Sequence, residues 1–258
     1  MKCSSDHEKN MISVVIPTCD RSTNFLYKAV TSALTQTLKP IEVIVVDNGI
    51  RDADSAALPE GVKRFRLPPR IGASRARNFG AAMAQGSHVA FLDDDDWWDA
   101  DFLREAWAVL QAEGTRCVYG RKDVLRHEVP QPYKCPSPQG MTIPRILRRN
   151  PGTGGQNLLI EKALFFSIGG FDEALKMSED KALALEVLLA GERISVAPRA
   201  IVVLRHHDGE RLRNTPFHKL GFLWKYRNLY GPLGGLRAIV RITHKTLRSL
   251  FLLFSIRH

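Results

Sequence analysis

The chain has 258 residues, 44% of them hydrophobic and 25% charged, with a formal net charge of +10. That length allows about one or two domains, and the composition suits a globular protein with a core of useful size, which excludes disordered, collagen-like and disulfide-scaffold chains. The charge excess is local: ten Lys and Arg residues follow Glu210 and no acid does, so the first 210 residues are formally neutral.

Residues 12–16 are a continuous apolar, β-branched run ended by Pro17, which predicts a buried strand. Residues 21–37 predict a helix, with Phe25, Leu26, Ala29, Val30, Ala33 and Leu34 near helical spacing. A second buried strand is expected over 41–46, ended by Asp47, Asn48 and Gly49, and a weaker third over 63–67, before Pro68 and Pro69. An Ala-rich helix follows over 73–85, closed by Gly86, then a strand over 88–92 and a helix over 99–112, closed by Gly114. Residues 126–154 carry Pro130, Pro132, Pro136, Pro138, Pro144 and Pro151 and read as an irregular loop or lid. A strand over 156–160 and a helix over 178–190 come next, with Glu179 and Asp180 in its first turn and Gly191 closing it.

Short apolar strands alternating with helices indicate parallel βαβ units in an α/β sheet. Ligands bind such sheets at the carboxyl ends of the strands. Three polar clusters fall at those ends: residues 18–21, 47–49 and 93–96.

The third cluster is Asp93, Asp94, Asp95 and Asp96, directly after an apolar run. Four adjacent carboxylates repel one another unless a cation or solvent compensates, and carboxylate oxygens suit hard ions such as Mg²⁺ or Mn²⁺. In an extended segment Asp93 and Asp95 share a face, because side chains alternate. A solvated acidic loop is the alternative. Trp97 and Trp98 argue against it, since two indoles rarely follow a purely solvating run.

SVVIPTCDR at 13–21, IEVIVVDNG at 41–49, ASRARNFGAAMAQGSHVAFLDDDDWWDADFL at 73–103 and GGFDE with SED within 169–180 resemble the family 2 glycosyltransferases of GT-A fold, over residues 12–208. The resemblance implies a Rossmann-like, mostly parallel central sheet flanked by helices. It implies a DxD element at Asp93-Asp94-Asp95, with Asp95 the direct metal ligand and Asp93 at the ribose or the metal shell. It assigns Pro17, Thr18, Asp20, Asp47, Asn48, Arg77, Asp93 and Asp94 to the nucleotide, with uridine as the default base and thymidine or guanosine as the alternatives. A surface salt bridge is the other reading of Arg77. Glu179 and Asp180 match an acidic pair at a helix start, Asp180 being the candidate general base and Glu179 an acceptor-side residue with Trp98. His207 matches a late histidine at the metal or diphosphate, and Arg211 could meet phosphate oxygens. The activity implied is inverting, metal-dependent transfer of a sugar from a nucleoside-diphosphate sugar to a glycan or lipid-linked acceptor, as in cell-surface polysaccharide or glycolipid synthesis.

The expected organisation is an N-terminal tail over 1–11, the GT-A domain over 12–210 and a basic helical extension over 211–258. In that extension Arg237, Arg241, Lys245 and Arg248 recur at helical spacing beside Leu236, Ile239, Val240, Leu247, Leu250, Phe251 and Phe254. A basic amphipathic helix over 236–258 reads as an anchor to an anionic membrane surface, or as a terminal helix packed on the domain. No run approaches the roughly 18 apolar residues of a spanning helix. Cys3, Cys19, Cys117 and Cys135 form no CxxC pair, and the polar start MKCSSDHEKN lacks a secretory signal, so a reducing, cytoplasmic setting is expected, peripheral at the inner face of the membrane. Two other classes compete. A haloacid-dehalogenase-type phosphatase also places DxD after an apolar strand. A non-enzymatic module could bind an anionic surface through the tail, but no nucleic-acid motif accompanies the basic residues.

Overall fold

The computed structural model describes residues 12–51, 58–126, 129–205 and 218–231. One mixed sheet organises them: β1 (Ile12–Thr18), β2 (Glu42–Asp47), β3 (Val62–Arg66), β4 (His88–Phe91), β5 (Trp97–Trp98), β6 (Cys117–Arg126), β7 (Val129–Lys134), β8 (Leu158–Glu161) and β9 (Ile194–Leu204). The strand order is β3-β2-β1-β4-β8-β6-β9-β5, and β7 pairs with β6. Strands β3, β2, β1 and β4 run parallel, as do β6 and β9, whereas β8 is antiparallel to both of its neighbours and β5 to β9.

The helices are α1 (Thr23–Leu34), α2 (Ala73–Met83), α3 (Phe102–Glu113), α4 (Ile143–Arg148), α5 (Lys162–Ser167), α6 (Glu179–Leu189) and α7 (His218–Lys225). They cover both faces of the sheet, which is why β1 and β2 are apolar almost without interruption. Val15, Ile44 and Val46 pack with Ala76, Phe165 and Leu183. Their strand neighbours Val14, Ile16, Val43 and Val45 pack on the other face with Leu26, Val30 and Phe102. Helix α2 lies so close to the sheet that a Cβ on Gly80 would fall 2.3 Å from Val15 Cγ1 and 3.1 Å from Val46 Cγ2.

Most expected elements appear with shifted ends. Helix α3 begins at Phe102 rather than at residue 99, because Asp99 first makes a turn, its carbonyl accepting from Phe102 N at 3.1 Å. The expected lid over 126–154 requires correction. It contains β7, an exposed strand paired to β6, and the short helix α4. Pro130 and Pro132 are tolerated because β7 is an edge strand, and Pro144 stands in the first turn of α4, where a missing N–H costs nothing. Strands β5, β6 and β9 and helix α5 were not foreseen. No described helix is long and apolar enough to cross a membrane.

Candidate active site

Because β1, β2 and β4 are parallel, their carboxyl ends open on one edge of the sheet. β2 and β3 lie to one side of β1 and β4 to the other, so β1 and β4 flank the switch point at which open α/β sheets bind ligands. The acid run after β4 lies there.

The run is not extended. Asp96 N–H donates to the Asp93 carbonyl at 3.2 Å and closes a turn. Burial nonetheless alternates: Asp94 and Asp96 are 6% exposed each, whereas Asp93 and Asp95 are half-buried. Asp94 is tied inward, accepting from Thr18 Oγ1 at 2.7 Å and from Arg21 Nε at 3.0 Å. Asp96 accepts from Arg205 N at 3.0 Å. Asp95 meets Arg21 Nη2 at 3.2 Å, and Asp93 Oδ1 accepts from Arg77 Nη2 at 2.5 Å. The strand alternation expected to put Asp93 and Asp95 on one face is therefore replaced by a turn, in which both stay half-buried and each meets a different arginine.

Arg77 is the junction of the site. It projects from α2, is 5% exposed, and reaches Glu179 Oε1 at 3.8 Å as well as Asp93. Burial works against its charge, but Asp93, Asp180 and Glu179 outweigh it and raise its pKa. The surface-salt-bridge reading of Arg77 is therefore corrected: this guanidinium is an internal cation joining the acids after β4 to those opening α6. Replacing it with methionine is expected to cost about 3–5 kcal/mol of stability, since the acids lose a buried partner. A urea-denaturation loss below about 1 kcal/mol would mark an exposed bridge instead.

Asn78, next on α2, holds the loop before α6. Its Nδ2 donates to the Phe171 carbonyl at 2.8 Å, and its Oδ1 accepts from Phe171 N at 2.9 Å. That loop leads to α6, where Asp180 Oδ1 accepts from Gly155 N at 3.0 Å. Burial raises the Asp180 pKa, with Arg77 and Lys122 pulling the other way. Burial likewise raises Asp94 to about 6, Asp96 well above the usual range and Glu179 to about 7. An acid whose pKa rises on folding favours the folded state least when ionised, so its penalty is absent below about pH 4 and grows as pH rises through the folded pKa. The metal-free protein should therefore melt lower at about pH 7.5 than at about pH 5, and Glu179→Gln should narrow that difference in a calorimetric scan.

At the end of β2, Asp47 is 1% exposed. Its Oδ2 accepts from Arg64 Nη2 and Arg66 Nη1, both at 2.9 Å, and its Oδ1 from Gly49 N at 2.8 Å. Arg66 also donates to the carbonyls of Gly49 and Ile50, at 3.1 Å each. Asn48 donates to the Thr18 carbonyl at 3.1 Å. Asp20 adopts φ 51° and accepts from Arg51 N at 2.9 Å. Pro17 lies in β1 at register with Val46. These residues come together as one rim beside the acid run. Trp98 turns inward, stacked on Phe102 at 4.4 Å and donating to the Gln156 carbonyl at 2.8 Å, so its ring supports the 155–157 turn from below. His207, Arg211 and residues 236–258 lie outside the described residues.

Sequence reasoning missed three parts of the site: Arg21, Lys122 and the Gly154-Gly155 pair. A glycine pair between strand patterns is a signal of close backbone approach; nothing around Lys122 marked it.

No three His, Cys, Asp or Glu side chains converge as a metal cluster among the described residues. The donor set still fits a hard divalent cation. Mg²⁺ is commonly held by one or two carboxylates, with substrate phosphates and water completing the shell. Asp93 and Asp95 supply two half-buried carboxylates. Burial pushes the surrounding acids Asp94, Asp96, Glu179 and Asp180 towards protonation, and neighbouring carboxylates add to it, a repulsion that a bound cation would relieve.

The sheet, its covering helices and the acids at its switch point match the GT-A fold. Among solved structures, Staphylococcus aureus TarS superposes with TM-score 0.61 at 23% identity, covering 76% of this chain and 37% of that one. GalNAc-T7, solved with UDP, GalNAc and Mn²⁺, superposes with TM-score 0.61 at 21% identity, covering 78% and 45%. A TarS fragment in complex with UDP gives 0.60 at 22%, covering 76% and 60%. Residues 13–169 match the family described as Glycosyl transferase family 2, and the chain belongs to it. An uncharacterised glycosyltransferase of Rickettsia typhi is 27% identical over 219 residues, 81% of this chain and 68% of its own length. One of Haemophilus influenzae is 31% identical, over 69% of this chain and 62% of its own. The succinoglycan biosynthesis protein ExoO of Rhizobium meliloti is 29% identical, over 73% and 59%. The matched region thus spans about three fifths of the last two relatives. Family membership sets aside the phosphatase and the non-enzymatic readings.

Proposed function

We propose that this glycosyltransferase is inverting and metal-assisted, moving a sugar from a UDP-sugar to a hydroxyl of a glycan or lipid-linked acceptor in cell-surface polysaccharide or glycolipid synthesis. The observation that carries the reading is the convergence on Arg77 of the acids after β4 and the acids opening α6. One group of acids suits the departing diphosphate and the other an attacking hydroxyl. The UDP and Mn²⁺ in the similar solved structures support donor and metal, and the name of the Rhizobium relative supports a polysaccharide product.

In this mechanism Pro17, Thr18, Asp20, Asp47 and Asn48 line the nucleotide, with Arg64 and Arg66 fixing their rim. Asp95 and Asp93 would hold Mn²⁺ or Mg²⁺, with His207 as a third candidate; the ion, when bound, neutralises charge on the departing diphosphate. Thr18 and Arg21 hold Asp94 behind them. Asp180 takes the proton of the acceptor hydroxyl as that oxygen bonds to the anomeric carbon and the bond to the diphosphate breaks on the opposite side, inverting the centre. Gly155 N–H orients Asp180, and Glu179 lies beside it on the acceptor side. Arg211 is proposed to meet phosphate oxygens.

Thermal-shift screening of UDP, GDP and dTDP with and without Mn²⁺ tests the reading. UDP should stabilise the protein, and more so with Mn²⁺. Failure of every diphosphate under both conditions would overturn it. For location, we infer a peripheral site at the cytoplasmic face of an anionic membrane through 236–258. Trp224, 72% exposed on α7 with Arg227 over its ring at 4.5 Å, supports that reading. Deleting 236–258 should release the protein from anionic vesicles in co-sedimentation, and unchanged sedimentation would refute the anchor.

A further inference from the structure

Lys122 stands on β6 just past the register shift between Gly120 and Arg121. It is 7% exposed, yet among the described residues its ammonium makes no hydrogen bond or ion pair. The nearest acid in sequence, Asp123, is taken by Arg121, Nε to Oδ1 at 2.8 Å and Nη2 to Oδ2 at 2.9 Å. Asp180, Asp93 and Asp96 act on Lys122 through their charge without reaching it.

The position is built. A Cβ on Gly154 would fall 2.1 Å from Lys122 Nζ, and one on Gly155 2.9 Å from Arg77 Nε. Two adjacent glycines therefore seat two internal cations. Holding an ammonium on a buried side chain with no partner among the described residues is costly. Costs of that kind persist in proteins where function requires them, and a ligand supplying the missing partner is such a requirement.

We propose that Lys122 is a sugar-binding residue, its ammonium donating hydrogen bonds to hydroxyls of the neutral hexosyl group carried by the nucleotide, on the side of the site it shares with Asp93, Asp96 and Asp180. The inference rests on the nucleotide-sugar reading of this site. On that reading Asp93 serves the diphosphate side and Asp180 the acceptor, so the transferred ring passes between two acids whose charge acts on Lys122. Lysine offers three donors and no acceptor, ionised carboxylates only accept, and a hydroxyl does both. A hydroxyl can therefore bridge the ammonium to a neighbouring acid. A uronate carboxylate would set a further negative charge among Asp93, Asp96, Glu179 and Asp180, which already outnumber Lys122 and Arg77, so the site favours a neutral hexose.

Calorimetry on the full chain with Mn²⁺ tests this, using UDP, UDP-glucose, UDP-galactose, UDP-N-acetylglucosamine and UDP-glucuronate, or the GDP or dTDP series if the screen selects that base. Lys122→Met should leave affinity for the bare diphosphate nearly unchanged and weaken the tightest neutral sugar ester about tenfold or more, the scale of a hydrogen bond to a charged group. Gly154→Ala, which crowds the ammonium but keeps its charge, should act in the same direction. The melting temperature of Lys122→Met should equal or exceed that of the wild type, because a buried charge with no partner among the described residues is gone. Equal loss for diphosphate and ester would move Lys122 to the diphosphate and overturn the proposal. Unchanged ester affinity, with or without a lowered melting temperature, would reduce Lys122 to a structural role. Tightest wild-type binding of the glucuronate would refute the neutral class. A wild type that binds none of UDP, GDP and dTDP defeats the nucleotide-sugar reading itself; one that binds UDP while Lys122→Met changes no ester affinity defeats the role of Lys122 alone.

Discussion

Asp95→Ala is expected to erase the response of nucleotide-sugar affinity to Mn²⁺. Loss of an outer partner of a metal ligand costs about 10- to 100-fold in metal affinity, so loss of a ligand itself should cost at least that. The fold should survive. Asp95 pairs with Arg21 at 3.2 Å, but Arg21 keeps Asp94 at 3.0 Å and its side chain is 34% exposed. Such a pair contributes about 0–1 kcal/mol. The signature is therefore unchanged melting in the metal-free protein, with calorimetric titrations that look alike with and without Mn²⁺. If the variant still gains affinity on adding Mn²⁺ as the wild type does, Asp95 is not a ligand.

Asp180→Asn should separate binding from chemistry. The amide keeps an oxygen for the Gly155 N–H but cannot take a proton. Donor affinity should stay near that of the wild type, while transfer falls about 100- to 10,000-fold, the usual contribution of a placed base. The pH profile gives an independent reading. Burial lifts the Asp180 pKa above the ordinary carboxylate value, so the wild-type rate should climb as pH rises through that raised value and the base ionises. The residual rate of the variant should lack this acidic limb. Turnover close to that of the wild type would remove Asp180 from the role.

The legible parts of the fold were those carrying a local pattern. β1 and β2 are apolar runs because helices cover both faces, and α6 has acids at its start and Gly191 after its end. β6 is not legible because its second half, Arg121-Lys122-Asp123, is a run of charges, two of which pair with each other, so no apolar period survives there. β7 was hidden by Pro130 and Pro132, which only an edge strand accepts. Within the site, the acid run and the pair at 179–180 were visible as composition. Their joining was not, since Arg77 lies on a third element and nothing in ASRARNFG says which face its arginines take. Asp47 was legible as a strand-end acid, but the engagement of both its oxygens by Arg64, Arg66 and Gly49 depends on β3 lying alongside.

Gly80 follows Arg77 by one helical turn, where α2 presses on β1 and β2 too tightly to admit a methyl group on that residue. The helix is thereby locked in depth and azimuth, and the guanidinium inherits that precision from main chain rather than from a flexible stem. Anyone transplanting foreign loops onto this scaffold should leave position 80 untouched: a single added carbon there would push α2, and Arg77 with it, away from the sheet while every grafted residue still looked correct.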